Sequence, residues 1–404
     1  MKKLLVTIVF ASVLSPGVAS GQDIPQTPPQ RAANAVEASR PPKPITPPTA
    51  DEVRKSIERG VAFLISIQEK NGAWGSPRKT KGLNIYAPVP GAHEAFRAAC
   101  TALGISALTE SFAAGVTRSD EVLRSLERGE AYLLEYLPKV RRATPDAIYN
   151  VWAHGYGLEA LAHMRQRLPD DAERVKKIDA VIHQQYDMLD RYESVDGGWG
   201  YYDFRIGTQK PASSSTPFTT ASILIALHQT DALGVSAPRK LVFRGVQSIA
   251  RQQNPDLSYL YGEYLRWWPH AGINQHGGSL GRSQACNLAL RLWGDQGISD
   301  DVLKAWLNRL YARNLWLDMG RKRPVPHESY YAVAGYFYYF GHYYAAMCID
   351  QLKPQDRPHY QHHLAHILLA LQEKDGSWWD YPFYDYHQQY GTAFALMTLQ
   401  RCKH

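Results

Sequence analysis

One motif recurs along this chain and limits what it can fold into: a glutamine, then a glycine, then a tryptophan, at a fixed spacing. It reads Gln68-Glu69-Lys70-Asn71-Gly72-Ala73-Trp74 near one end and Gln372-Glu373-Lys374-Asp375-Gly376-Ser377-Trp378 near the other. A third copy, Glu193-Ser194-Val195-Asp196-Gly197-Gly198-Trp199, keeps the glycine and tryptophan. A worn fourth, Gln253 to Tyr259, keeps the glutamine and an aromatic residue but not the glycine. Each copy follows an apolar run with helical spacing. Turn chemistry that returns after each helix marks an array of one supersecondary unit, here about 60 residues long.

Six helix pairs follow from this spacing. First helices end near Gln68, Leu137, Tyr192, Gln253, Arg313 and Gln372. Second helices are predicted at Ala92 to Thr109, Asp146 to Arg167, Pro217 to Leu233, Ser279 to Trp293, Glu328 to Leu352 and Tyr386 to Arg401. The second set is apolar nearly all round, as in Tyr330 to Phe340, and must be enclosed. The first set carries Glu58, Arg59, Arg124, Glu127, Arg174 and Lys177 and can face water. A linear solenoid needs polar caps at both ends, and neither terminal pair has one. The predicted fold is therefore all-α: a closed α/α toroid of six helix pairs, inner ring within outer ring, spanning residues 51–404 as one domain.

The motif resembles the QW repeat of the squalene cyclase and protein prenyltransferase superfamily. That resemblance implies that the Gln caps a helix end, the Gly makes the turn and the Trp stacks on the Gln. It covers nearly all of 51–404 as architecture, in the manner of prenyltransferase/squalene oxidase repeats, and implies a terpenoid cyclase-like toroid. The catalytic signatures do not follow. The acidic D-x-D-D motif of the cyclases is absent, and Asp196, Asp203, Asp375 and Asp380 stand apart. The segment from His276 to Arg282, followed by Cys286, is similar to the glycine-rich stretch before the prenyltransferase zinc cysteine. Gln284 stands where the Asp ligand would be, and only His387 is left to match the zinc histidine. Trp152-Ala153-His154-Gly155 resembles the W-C-H-G segment of the lanthionine cyclases, with Ala153 in place of the ligand cysteine. No metal and no cofactor is expected, and His154 reads as a buried histidine with a backbone partner.

Met1-Lys2-Lys3, an apolar run from Leu4 to Leu14, Pro16 and the small residues Val18-Ala19-Ser20 form a secretory signal peptide over 1–20. The run is too short to span a bilayer, so no integral membrane segment is expected in the mature chain. A periplasmic or secreted location follows. Residues 21–50 hold eight prolines and read as a semi-rigid linker that buries nothing. Without the charges at Lys2, Lys3, Asp23, Arg31, Glu37, Arg40 and Lys43, the formal charge drops from +7 for the chain to +4 for 51–404, too little to imply nucleic acid. The four cysteines, placed by helical rise at mismatched heights on the inner ring, are expected to be buried free thiols.

Loops from first to second helices are long, those leading back are short, and all long loops share one face. That face is the candidate site. It carries Trp199, Tyr201, Tyr202, Asp203 and Arg205 in the third loop, and Tyr259, Tyr261, Glu263, Tyr264, Arg266, Trp267, Trp268, His270 and His276 in the fourth. Trp199, Tyr202, Tyr264, Arg266, Trp267, Trp268 and His387 are the candidate ligand-binding residues. His270, His276, Asp203 and Glu328 are the candidates for proton transfer. Aromatic planes among carboxylates, histidines and arginines suit sugar rings or an extended apolar ligand. Three readings stay open: a toroid that binds a glycan, an apolar extended molecule or a partner; a polysaccharide lyase or hydrolase; and an atypical terpenoid cyclase with Tyr336 to Phe340, Tyr343 and Tyr344 in its lumen.

Overall fold

A computed structural model describes residues 35, 39–82, 85–115, 119–205, 210–212, 215–325, 327 and 332–402. The segment expected to be a signal peptide, most of the expected linker and Glu328 lie outside them. Six helix pairs run through the described residues. Outer helices are α1 (Ala50–Ser66), α3 (Asp120–Tyr136), α5 (Ala172–Tyr192), α7 (Arg239–Arg251), α9 (Asp300–Ala312) and α12 (Arg357–Leu369). Inner helices are α2 (Gly91–Ala113), α4 (Asn150–Arg167), α6 (Pro217–Ala232), α8 (Ser283–Leu292), α11 (Tyr338–Asp350) and α13 (His387–Gln400), and a short α10 (Asn314–Asp318) follows α9.

Local sequence separates the two rings. Thr49 opens α1 with a capping box completed by Glu52, and Ser119, Asp171 and Ser299 cap α3, α5 and α9. The inner helices have no side-chain caps of their own and are buried around most of their circumference. Packing against neighbours, rather than propensity, holds them. Each inner helix touches the next, α2 to α4, α6, α8, α11 and α13, and α13 returns to α2. The ring is closed, as the sequence implies.

The repeated motif makes the joints. Gly72, Gly197 and Gly376 turn the chain at φ near +90°, where a Cβ would also strike the backbone of the next outer helix. The indole N–H groups of Trp74, Trp199 and Trp378 donate to Leu64, Leu189 and Leu368 carbonyls at 2.8–2.9 Å, satisfying orphan acceptors at outer-helix ends. In the worn copy Leu257 occupies the glycine place at φ 61°, and the Tyr259 hydroxyl receives Gln253 Nε2 at 3.0 Å.

Two expectations need correction. The fifth inner helix begins at Tyr338, not Glu328, because Ala332 has φ 54° and Gly335 passes so close to the Asp380 and Gly320 carbonyls that a Cβ would clash. The cysteine heights shift accordingly: Cys348 lies beside α8, its thiol donating to the Gln284 carbonyl at 3.4 Å, and all four cysteines are buried and free. The linker, too, is not wholly detached, since Ala35 is buried in the core and Thr49 caps α1.

Candidate functional site

A cluster of ion pairs stands at the short-loop end of the inner ring. Arg401 holds Glu110 through its two terminal guanidinium nitrogens at 2.5 and 2.8 Å and pairs with Asp350 through Nε at 3.1 Å. Glu159 accepts from the Tyr343 hydroxyl beside them. Burial pushes the Glu159 carboxyl up to about 7, against the lowering effect of the Tyr343 hydrogen bond.

Toward the long-loop end the lumen opens into a cavity of about 330 Å³, within the ordinary size range of small-molecule sites. Its wall is aromatic. Phe96 from α2, Trp152 and Tyr156 from α4, Phe218 from α6, Phe340 from α11 and Tyr390 and Phe394 from α13 form the lower part. Tyr201, Tyr202, Tyr261, Tyr336, Tyr381 and Phe383 come down from the loops.

The tyrosine hydroxyls around this space bond to one another and to backbone. Tyr149 donates to the Tyr86 carbonyl at 2.9 Å and is bonded to Tyr202. Tyr201, Tyr261 and Tyr336 form a chain that ends on His327 Nε2, with the last two links 3.1 and 2.7 Å long. Tyr381 and Tyr384 donate to the Pro324 and Ile85 carbonyls at 3.1 and 2.9 Å. Hydroxyls so occupied leave ring faces and edges as the lining.

Two buried ionisable groups stand behind the wall. Arg282 is buried and its guanidinium donates to the Leu260, Gly278, Tyr259 and Ile273 carbonyls, while sitting 5.5 Å from the Tyr261 ring and 5.8 Å from Phe337. Burial lowers it to about 10 and, together with its charge, drives His327 down to about 3. Asp380 accepts from the Tyr339 N–H at 3.1 Å and from Tyr390. It thereby caps α11 from the next repeat, and burial pushes it up to about 7.

The sequence candidates divide among three places. Tyr202 lines the cavity, and Tyr264 stands at its rim, 4.8 Å from Phe204, which in turn is 5.9 Å from Tyr202. Arg266, Trp267 and Trp268 project from the fourth loop into solvent. Trp199 is fully buried in its joint and so belongs to the scaffold, not to a binding surface. Asp203 is buried and committed to Arg142 at 2.6 Å. His270 and His276 are exposed, and His276 feels the charges of Asp256, Arg309 and Arg313. His387 is buried, donates from Nδ1 to the Tyr384 carbonyl at 2.7 Å and sits edge-on to Trp379. Glu328 lies outside the described residues. Among the described residues no group of three or more His, Cys, Asp or Glu side chains is placed to hold a metal ion.

The inner-helix aromatics Phe96, Trp152, Tyr156, Tyr390 and Phe394 escaped the sequence reading. Their signal is the one-turn spacing Tyr149–Trp152–Tyr156 and Tyr390–Phe394, which puts rings on a single face of an otherwise enclosed helix.

A family model described as the squalene-hopene cyclase C-terminal domain matches residues 43–265. No curated protein is significantly similar in sequence. Among solved structures, an inactive variant of the α-1,6-mannanase GH76A of Salegentibacter sp. HEL1_6, in complex with α-1,6-mannotriose, superposes at TM-score 0.55 and 10% identity, covering 87% of this chain and 99% of that one. A protein from Actinoplanes superposes at 0.50 and 14% identity, covering 87% and 98%. At these identities the likeness is one of fold.

Proposed function

From the premise that this chain belongs to the squalene-hopene cyclase C-terminal domain family, we propose that it is an exported toroid that binds an extended, uncharged apolar molecule in its central cavity. The observation that carries this is the lining: a cavity of about 330 Å³ walled by aromatic rings, with tyrosine hydroxyls bonded to one another, to backbone, to His327 or to the buried Asp380. Among the lining side chains only His327 Nδ1 is buried without a partner, so a sugar there would leave most of its hydroxyls unpaired, at about 1–3 kcal/mol for each. A hydrocarbon chain loses nothing of the kind.

A carbocation fits less well than a neutral molecule. The buried Arg282 charge lies directly behind Tyr261 and Phe337 and opposes the ring quadrupoles that would otherwise favour a cation. Binding therefore ranks above cyclisation. A polysaccharide lyase or hydrolase would need acids or bases facing the substrate, and Asp203 and Asp380 are engaged with Arg142 and with Tyr390 and the Tyr339 N–H.

The test is a thermal-shift panel. Neutral long-chain isoprenols and sterols are expected to raise the melting temperature, since a ligand that binds only the folded state stabilises it by mass action. Neutral and anionic oligosaccharides are expected to leave it unchanged. A shift with oligosaccharides and none with the apolar compounds would overturn the proposal.

A further inference from the structure

The outer helix α12 carries a pattern that neither ring closure nor the cavity uses. It contains His359-Tyr360-Gln361-His362-His363-Leu364-Ala365-His366, so that four of the chain's 15 histidines fall within eight residues. Steps of three and four residues place all four in one stripe along the helix. The opposite stripe holds Tyr360, Leu364, Ala365 and Leu368, all buried, and fixes α12 to the ring. The histidine stripe is the outward one: His359 and His366 are exposed, His362 is half-buried, and His363 is buried at its margin. Elsewhere the outer helices fill this stripe with charged residues, such as Arg54 and Lys55 on α1 and Arg124 and Glu127 on α3.

Within the stripe one pair of rings meets. His359 and His363, one turn apart, stand 4.8 Å between ring centres at 69°. Tyr311 of α9 lies against the His363 ring at 5.5 Å and 14°, and its hydroxyl donates to the Tyr360 carbonyl at 3.0 Å. One imidazole is thereby set by packing, and the other, in solvent, is free to turn toward it. Asp356, one turn before His359, is taken by Lys304 at 2.7 Å. Among the described residues no three His, Cys, Asp or Glu side chains are placed around one ion, so the unit is a pair.

We propose that His359 and His363 chelate a divalent late transition-metal ion, with water at its remaining positions. Two imidazoles four residues apart on a helix reach one ion from the same side without moving the backbone. Imidazole nitrogen suits Cu2+, Ni2+ and Zn2+, whereas Mg2+ and Ca2+ take oxygen. For one set of nitrogen ligands Cu2+ binds more tightly than Ni2+ or Zn2+. A structural site would be closed by four protein ligands; two leave positions open, so this ion exchanges with solution and the fold does not depend on it. The site is on the outer ring and is independent of what the cavity holds.

Titration of the untagged full-length protein with Cu2+, read by calorimetry and by electron paramagnetic resonance, tests the pair. The parent is expected to bind one Cu2+ saturably at this site, with hyperfine structure from two imidazole nitrogens. His359→Gln removes an exposed ligand and should weaken binding roughly tenfold or more, as a chelate is reduced to a single imidazole. Its melting temperature without metal should equal the parent's, and a chelator should leave the parent folded. His270→Gln, at an exposed histidine on the fourth long loop, should bind as the parent does. The proposal is overturned if the parent shows no saturable binding, if only one nitrogen ligand is seen, or if His359→Gln binds like the parent. It is also overturned if a double variant His362→Gln, His366→Gln loses the ion while His359→Gln keeps it.

Discussion

Ser56 and Gln372, 316 positions apart in sequence, close the ring by a two-way hydrogen bond: Ser56 Oγ donates to Gln372 Oε1 and Gln372 Nε2 donates to the Ser56 carbonyl, both at 2.9 Å. Ser125 and Gln68 repeat the arrangement at 2.9 Å in each direction between the first and second repeats. One helical turn after each serine stands a glycine, Gly60 or Gly129, against which the motif tryptophan of the neighbouring repeat packs. The closing joint is thus built like an internal one, which is why no terminal cap is needed.

Trp378→Ala is expected to destabilise the protein by roughly 3–5 kcal/mol, as large buried aromatic deletions do. Trp268→Ala, at an exposed site, should change stability by less than about 0.5 kcal/mol. Urea unfolding of the two variants checks this.

Gly60→Val tests the same joint from the other side. A Cβ at Gly60 would lie 2.8 Å from both the Trp378 ring and Leu396, so overpacking should cost about 1–3 kcal/mol. Ser56→Ala, which leaves Gln372 with one partner fewer, should cost about 1 kcal/mol. Stability unchanged in both would mean that closure depends on something else.

These joints were legible in the sequence because a glutamine, a glycine and a tryptophan at fixed spacing each do one local job. The wall of the cavity was not, because it is made by pairings such as Tyr201 with Tyr261 and Tyr261 with Tyr336, which join different repeats. Trp199 was misread as a ligand contact through its neighbours Tyr201 and Tyr202, although its place in the motif already marked it as a joint. The run Tyr330 to Phe340 reads as one helix by composition. Ala332 at positive φ and Gly335 wedged against the Asp380 carbonyl break it, and both depend on the tertiary setting.

The contribution of Asp380 and Glu159 to stability should fall between about pH 4 and about pH 7 and level off above that. Asp380 and Glu159 are both raised to about 7 from ordinary values of 3.8 and 4.5. Their contribution is therefore complete below the ordinary values and lost as pH rises through about 7. The buried histidines His154, His342 and His387, lowered from 6.5 to about 4 by burial, act in the opposite sense over the same range, because unfolding lets them charge below about 6.5. The stability of the parent relative to Asp380→Asn or Glu159→Gln should fall from about pH 4 to about pH 7 and then stay level. A parent-minus-variant difference that rises across this range would contradict the assignment.

Deleting residues 21–48 should cost little, whereas a deletion extended through Thr49 should cost about 1 kcal/mol more, since it removes the α1 cap. Melting of the two truncations separates the cap from the contact at Ala35.

The central claim is that the aromatic cavity holds the ligand. Ala99 lies on the cavity wall and is small, so Ala99→Phe should fill the space while keeping the ring folded. Native mass spectrometry with a neutral long-chain isoprenol in volatile detergent reads the outcome directly. One isoprenol per chain on the parent, and none on a folded Ala99→Phe variant, is the predicted result; equal occupancy of both proteins would contradict it.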